Sequence, residues 1–483
     1  MLKSGIFGQR TASIRGLRVL PVSSFLPLVA LVLAVALGVV LGRRDKSTDA
    51  FIAGAILFAI VLILPQNELA VVMVIAVHLY VDWYLGYNLV ALVMEVLLLG
   101  AIFLARTNRY QWTVPQGLWL WGLLLAISLL PATQGITLSD GFYYYFNIIF
   151  NAFMIFWIGL VLARNIASVR RFFEIFAVFC TLVAIHTIVQ ATTGIFLLAS
   201  SRFNAYLALV SNYTLASSDI QRAGSFFVNP DSSGSFFGIV IFVPLGLFFY
   251  SRSLPRKLFY LAELLLMLVA LLFTYSTGGW VAAAGGFLVF LLFVGHNRSR
   301  LLLPFFIVLV IFALITFFPE QINLQIQHAL TPSEASLREA AWQTGIQVIR
   351  AFPLTGIGLG RYDYIVRADP YRVPQQYRPL AHPHNTYIEL AALGGLPILL
   401  IFMALLAFTF WLGVCNWHRI KGPASSLFAG GLATVVALSV NSMFIPGWSL
   451  PPLVVIGWLI LGIISSPLPF KNQAVEAMNT RIT

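Results

Sequence analysis

Apolar residues gather in runs near 20–42, 50–65, 68–86, 88–105, 117–133, 145–163, 172–192, 235–250, 258–275, 278–295, 301–318, 391–413, 424–445 and 451–466. A helix needs about 20 apolar residues to cross a bilayer, so the pattern predicts fourteen candidate spans. Several, such as 50–65, fall short of about 17 residues and read as re-entrant or half-spanning, which leaves about 12 to 14 crossings. The expected fold is an all-α polytopic membrane protein. The first run follows Lys3, Arg10, Arg15 and Arg18 and contains Ala34-Val35-Ala36, which imitates a signal-peptide cleavage site. It is too long for a signal peptide and reads as an uncleaved first helix.

Two stretches break the rhythm, 193–234 and 319–390. In the second, Thr331-Pro332-Ser333-Glu334 offers an N-cap threonine, a proline at the first helical position and a glutamate three residues on. This predicts a helix running to Ala351 and ended by Phe352-Pro353. Leu337, Ala341, Thr344 and Val348 share one stripe of it and Arg338 and Trp342 another, as in an amphipathic helix resting on a membrane surface. Then come a turn with glycines two apart, Gly356, Gly358 and Gly360, and the segment Ala381-His382-Pro383-His384-Asn385-Thr386-Tyr387 at the mouth of the next span. The turn reads either as a phosphate cradle of backbone N–H groups or as a structural turn. It is not a Walker loop, since no Gly-Lys-Ser/Thr follows, and no strand precedes it.

Composition agrees with the bilayer as solvent: 60% of residues are hydrophobic and 10% charged. The net charge of +12 would suggest nucleic acid in a soluble protein, but here it sorts by side, and nucleic acid is not an expected partner. With both termini cytoplasmic, 18 of the 29 Lys and Arg residues fall in short inside loops, as the positive-inside rule requires. The cluster Arg43-Arg44-Asp45-Lys46 violates it. The layout is then a cytoplasmic segment 1–19, helices across 20–318 with an outside loop at 193–234, an extracytoplasmic loop 319–390, final helices 391–466 and a cytoplasmic tail 467–483. The two long outside stretches hold eight arginines and no lysine. That is either ordinary surface charge or a set of planar forks for an anion such as pyrophosphate. Cys180 and Cys415 lie in apolar runs, so they form no disulfide framework or thiolate metal site.

In order and spacing, these motifs resemble the bacterial O-antigen ligase and O-antigen polymerase family. The resemblance rests on Arg338 with Trp342, the Pro-Leu-x-Gly-x-Gly turn at 353–358, and His384-Asn385 leading through a helix to Gly395. It extends to Arg222-Ala223-Gly224-Ser225-Phe226 and Asn229-Pro230-Asp231 ahead of a span. The chain departs from the family pattern at Ser276-Thr277-Gly278, where an arginine is usual at the middle position, at Asp231 in place of a second asparagine, and at Ile398 in place of a glycine.

The resemblance implies a metal-independent transfer in the cytoplasmic (inner) membrane, without a cofactor. A glycan passes from an undecaprenyl-pyrophosphate carrier to a hydroxyl of a glycan, lipid or protein acceptor. Pyrophosphate is a good leaving group that needs its developing charge neutralised. Neither a paired Asp-x-Asp nor adjacent carboxylates seat Mg²⁺ outside the membrane, whereas arginines are at hand. His384 is the expected base, because neutral imidazole is available near neutral pH, with His382 in reserve. Arg222, Arg338, Arg361, Arg378, His382, Asn385 and Tyr387 are the expected substrate contacts. No covalent nucleophile stands in the motif, so a single inverting displacement is expected. A zinc site at His382 and His384 would need a third ligand such as His328 or Asp363.

Ionisable residues inside the runs, His78, Asp82, Glu95, Glu174 and His186, divide between interior pairing and substrate contact. Asp140, in an early outside loop, is a further candidate. A transporter or lipid flippase would predict repeated halves, and none is visible. A non-catalytic envelope scaffold would not require His384 beside arginines.

Overall fold

The computed structural model describes residues 115–194, 222–294 except 228, 311–330, 332–376, 378–467 and parts of 68–79, all within the unit Leu64–Thr483. All regular structure among them is helical: α1 Leu118–Thr133, α2 Leu138–Leu162, α3 Ile166–Thr193, α4 Pro230–Tyr250, α5 Leu254–Thr274, α6 Thr277–Phe293, α7 Pro319–Ala329, α8 Pro332–Ala351, α9 Arg361–Arg367, α10 Thr386–Arg419, α11 Ser425–Asn441 and α12 Pro451–Ser465. Among the described residues six helices are long and apolar enough to cross a membrane, and α1, α6 and α12 are shorter apolar ones. The fold is thus all-α, in a multi-pass membrane protein. The runs predicted at 20–42, 50–65 and 88–105, together with Asp82 and Glu95, lie outside the described residues.

Lipid tails are as apolar as leucine, so helices in a bilayer associate where small residues let backbones approach. The core follows that rule. A Cβ on Gly238 of α4 would collide with the carbonyl of Gly279 of α6, and one on Gly279 with the carbonyl of Gly234. Gly159 of α2 meets Leu459 and Gly462 of α12 in the same manner. The departure at Ser276-Thr277-Gly278-Gly279 lies at the start of α6. The Ser276 hydroxyl caps α6 by accepting from Gly279 N at 3.3 Å, and Thr277 Oγ1 accepts from Gln325 of α7 at 3.3 Å.

α4 begins at Pro230, earlier than hydropathy alone indicates, because Asn229 caps it and Pro230 fits its first turn. The stretch 319–390 contains α7, α8 and α9. The expected helix α8 spans Pro332–Ala351 and buries Ala341, Thr344 and Val348 towards α10. Thr331 and the side chains of 332–335, the proposed capping box, lie outside the described residues.

The longest helix among the described residues, α10, has 34 residues and a break at Gly395, where φ is 81° and ψ is 167°. Pro397 has no N–H to give to the carbonyl of Leu393, and Leu396 N donates instead to Pro353 O at 2.8 Å. Two carbonyls of α10 are thereby freed, and the glycine turn satisfies both. Ile357 N donates to Ala392 O at 2.9 Å and Gly358 N to Leu393 O at 3.0 Å. Leu359 N donates to Pro131 O of α1 at 2.9 Å. Of the two readings of the turn, the structural one holds: these N–H groups are consumed by backbone. Gly356, at φ 65°, must be glycine twice over, since a Cβ would also collide with the Leu393 carbonyl.

Candidate functional site

Three elements converge beside the mouth of α10. Asn385 caps that helix, its side-chain oxygen accepting from Tyr387 N at 2.9 Å and Ile388 N at 3.1 Å, while its amide donates to Met443 O at 3.1 Å. The cap fixes where the chain enters the helix, and His384 precedes it in the left-handed region at φ 52°. A non-glycine residue there costs on the order of 1 kcal/mol or more and persists only where its surroundings enforce it. His382 does so in part, its Nδ1 accepting from His384 N at 3.2 Å, with the two rings 4.4 Å apart edge to face. Among the described residues the other non-glycine positive φ values belong to Ser225 and Tyr275. Both flank the second element.

That element is the Arg222 loop. Arg222 is buried, with Nε donating to Thr274 O at 3.0 Å and Nη2 to Asp231 Oδ1 at 2.7 Å and to Tyr275 O at 3.3 Å. The strained Tyr275 thus presents its carbonyl to the guanidinium. Ser225 is held by Gln190, whose Oε1 accepts from Ser225 N at 2.7 Å, and by His186, with Nδ1 and Oγ 2.9 Å apart. The interior histidine of α3 therefore supports the loop.

The third element is α8, which brings Arg338 to 3.9 Å from Asp231 Oδ2. One carboxylate thus faces two arginines, an oxygen to each. Burial, reinforced by Arg338 and further by Arg378 and Arg361 against the opposing pull of Asp231, lowers the His384 pKa to about 4. Burial, His384 and Arg361 push His382 well below the usual imidazole range as well. Both rings are neutral at neutral pH, and a neutral imidazole with a guanidinium neighbour can accept a proton beside an anion.

The structure therefore brings together His384, His382, Arg222 and Arg338, with Arg361 and Arg378 close enough to act on the imidazoles. Asn385 is spent on its cap, and Tyr387 donates its hydroxyl to Ser439 O at 2.8 Å, so both shape the site by packing. Arg361 reaches back instead, with Nη2 donating to Ser449 O at 3.2 Å and Nε 3.9 Å from Glu389 Oε1. Glu389 is fully buried and also accepts from Tyr144 at 3.3 Å and Ser449 at 2.8 Å. Sequence reasoning missed this buried carboxylate, which sits in the first turn of α10 and reads as an ordinary helix start.

Asp140 and Asp363 stand apart from this constellation and act as joints. Asp140 Oδ2 accepts from Tyr362 N at 2.9 Å, capping α9, and Asp363 Oδ1 accepts from Ile136 N at 2.6 Å. Burial, with Asp140 as a neighbour, raises the Asp363 pKa. Among the described residues no group of three His, Cys, Asp or Glu side chains converges as a metal site would require. Of the intramembrane candidates, Glu174 pairs with Arg170 at 3.6 Å and accepts from Tyr260 at 3.1 Å. His78 is buried with its Nε2 at 3.5 Å from the side-chain nitrogen of Asn151.

A search of curated proteins gives no match. The sequence model of the O-antigen ligase family matches residues 262–403, a segment that contains Arg338, the glycine turn, His384 and the break in α10 but stops short of the Arg222 loop. The resemblance read from the motifs is borne out over residues 262–403, where the chain is similar to the O-antigen ligase family.

Proposed function

We propose that the protein is a glycosyltransferase of the cytoplasmic (inner) membrane that moves a glycan from an undecaprenyl-pyrophosphate carrier to a hydroxyl of a glycan, lipid or protein acceptor. The observation that carries the reading is His384. It is a neutral imidazole on a strained turn, with Arg338, Arg378 and Arg361 acting on it and Arg222 on the far side of Asp231.

In this mechanism the guanidinium groups take up the charge that develops on the pyrophosphate as the bond from the anomeric carbon to phosphate oxygen breaks. His384 removes the acceptor hydroxyl's proton as that oxygen attacks the same carbon. The proton ends on the imidazole and the electron pair of the broken bond leaves with the carrier pyrophosphate. A pKa of about 4 is low for a base, since proton transfer works best near the operating pH. Part of the depression comes from neighbouring guanidinium charge, and a bound pyrophosphate would offset that charge. The basicity of His384 then rises when the donor is in place. The displacement is single, with inversion, and the reaction is metal-independent because arginine supplies the neutralising charge. The active segment 319–390 faces the extracytoplasmic side, with both termini cytoplasmic.

The test is purified protein with carrier-linked glycan and a panel of acceptors, comparing wild type with His384→Ala and Arg338→Ala. Transfer that persists unchanged in both folded variants sinks the mechanism. A product linkage of retained anomeric configuration by NMR would end the inverting step alone.

A further inference from the structure

The family pattern has asparagine where this chain has Asp231, and the structure puts that carboxylate between two cations. Asp231 lies in the first turn of α4, next to Pro230, with its N–H given to Asn229 Oδ1 at 2.8 Å. Its Oδ1 accepts from Arg222 at 2.7 Å, and its Oδ2 is 3.9 Å from Arg338 Nη2, beyond hydrogen-bond length. The two arginines are held differently. Arg222 is buried and tied also to Thr274 O and Tyr275 O, whereas the side chains of Arg338 and Asp231 each keep 25% of their surface exposed.

An asparagine would leave two positive charges side by side. Aspartate cancels one of them and presents two oxygens to two guanidiniums, which is the geometry of a phosphate group. We propose that Asp231 is an internal counter-ion standing in for substrate phosphate. It pairs with Arg222 permanently and with Arg338 only until a pyrophosphate takes its place on Arg338. This rests on the reading of the arginines as a pyrophosphate site. The consequence is an anion site weakened on purpose: each incoming phosphate oxygen must compete with a fixed carboxylate, so donor affinity is held down and release of the spent carrier is eased.

The experiment uses the full chain in lipid nanodiscs with inorganic pyrophosphate as the probe, its affinity measured by calorimetry for wild type, Asp231→Asn and Asp231→Glu. Losing one competing charge should tighten pyrophosphate binding about tenfold in Asp231→Asn, with a steeper fall in affinity as salt is raised. Asp231→Glu, which pushes a carboxylate further into the Arg338 fork, should bind at or below the wild-type level. Equal or weaker binding by Asp231→Asn overturns the counter-ion, since a merely structural aspartate would give that result. Should the Asn variant fail to fold, tighter binding by Asp231→Glu overturns it as well. The two readings fail separately. Wild type that joins no glycan defeats the proposed activity, whereas equal pyrophosphate affinities defeat the counter-ion even when glycan is joined.

Discussion

The glycine turn and the histidine turn serve the same helix, one at its break and the other at its mouth, and they differ in how their polar groups are used. At 353–360 the backbone N–H groups of Gly356, Ile357, Gly358 and Leu359 are donated to carbonyls of Phe352, α10 and α1. At 382–384 the imidazole of His384 instead lies under the influence of three arginines and an aspartate. In sequence both look like phosphate or proton chemistry. The difference teaches that in a membrane protein a glycine-rich turn beside an interrupted helix is first a solution to unsatisfied carbonyls. Side-chain charge of several arginines gathered near a buried imidazole is the better pointer to a reaction.

The sharpest way to break this contrast is to damage each turn and compare. His384→Asn keeps a residue that tolerates the left-handed region and removes the base. Transfer should fall by roughly a thousandfold while thermal stability stays near wild type; a loss of only a few-fold would move the chemistry elsewhere. Gly356→Ala should do the reverse. A Cβ there meets the Leu393 carbonyl at an unfavourable φ, so stability should drop by about 3 kcal/mol, with transfer falling only in step with the folded fraction. Activity that vanishes from fully folded Gly356→Ala protein would return the turn to the phosphate-cradle reading.

Arg338→Lys keeps the charge and loses the fork, and should cost about tenfold in kcat/KM; no change would mean that a point charge suffices. The smallest expected effect is that of pH. Since the His384 pKa is lowered to about 4, the imidazole is neutral and competent above that value and is protonated below it. kcat/KM, which reports the free enzyme, should therefore stay flat from pH 7 down to about 5 and decline as pH approaches 4. A decline centred near the ordinary histidine value of about 6.5 would show that burial and the arginines do not depress this group.

Much of the architecture was legible beforehand, because span length and helix starts are local properties. The runs at 117–133, 172–192 and 451–466 correspond to α1, α3 and α12, and α8 covers the stretch expected of it. Arg222, Arg338 and His384 were legible from the order and spacing of the motifs that carry them in the two long loops. What stayed hidden depends on pairing across distance. Pro397 and the glycine turn are some 40 positions apart in sequence, and backbone bonds between them leave no side-chain trace. Glu389 reads as a helix start until Tyr144 and Ser449 are seen to donate to it. Asp231 looks like a conservative exchange for asparagine until Arg338 is found across from its second oxygen.

The break in α10 has a consequence for depth. From Leu396 to Arg419 the helix would rise about 36 Å, enough to cross hydrocarbon about 30 Å thick by itself. The residues from Thr386 to Gly394 are therefore surplus to crossing. They form a short arm that carries His384 at its tip, with its elbow pinned by the Ile357 and Gly358 bonds. Under the proposed mechanism the reach of that arm sets where an acceptor hydroxyl meets its base relative to the crossing segment, and repacking at the elbow would alter which acceptors reach it without touching any residue of the site.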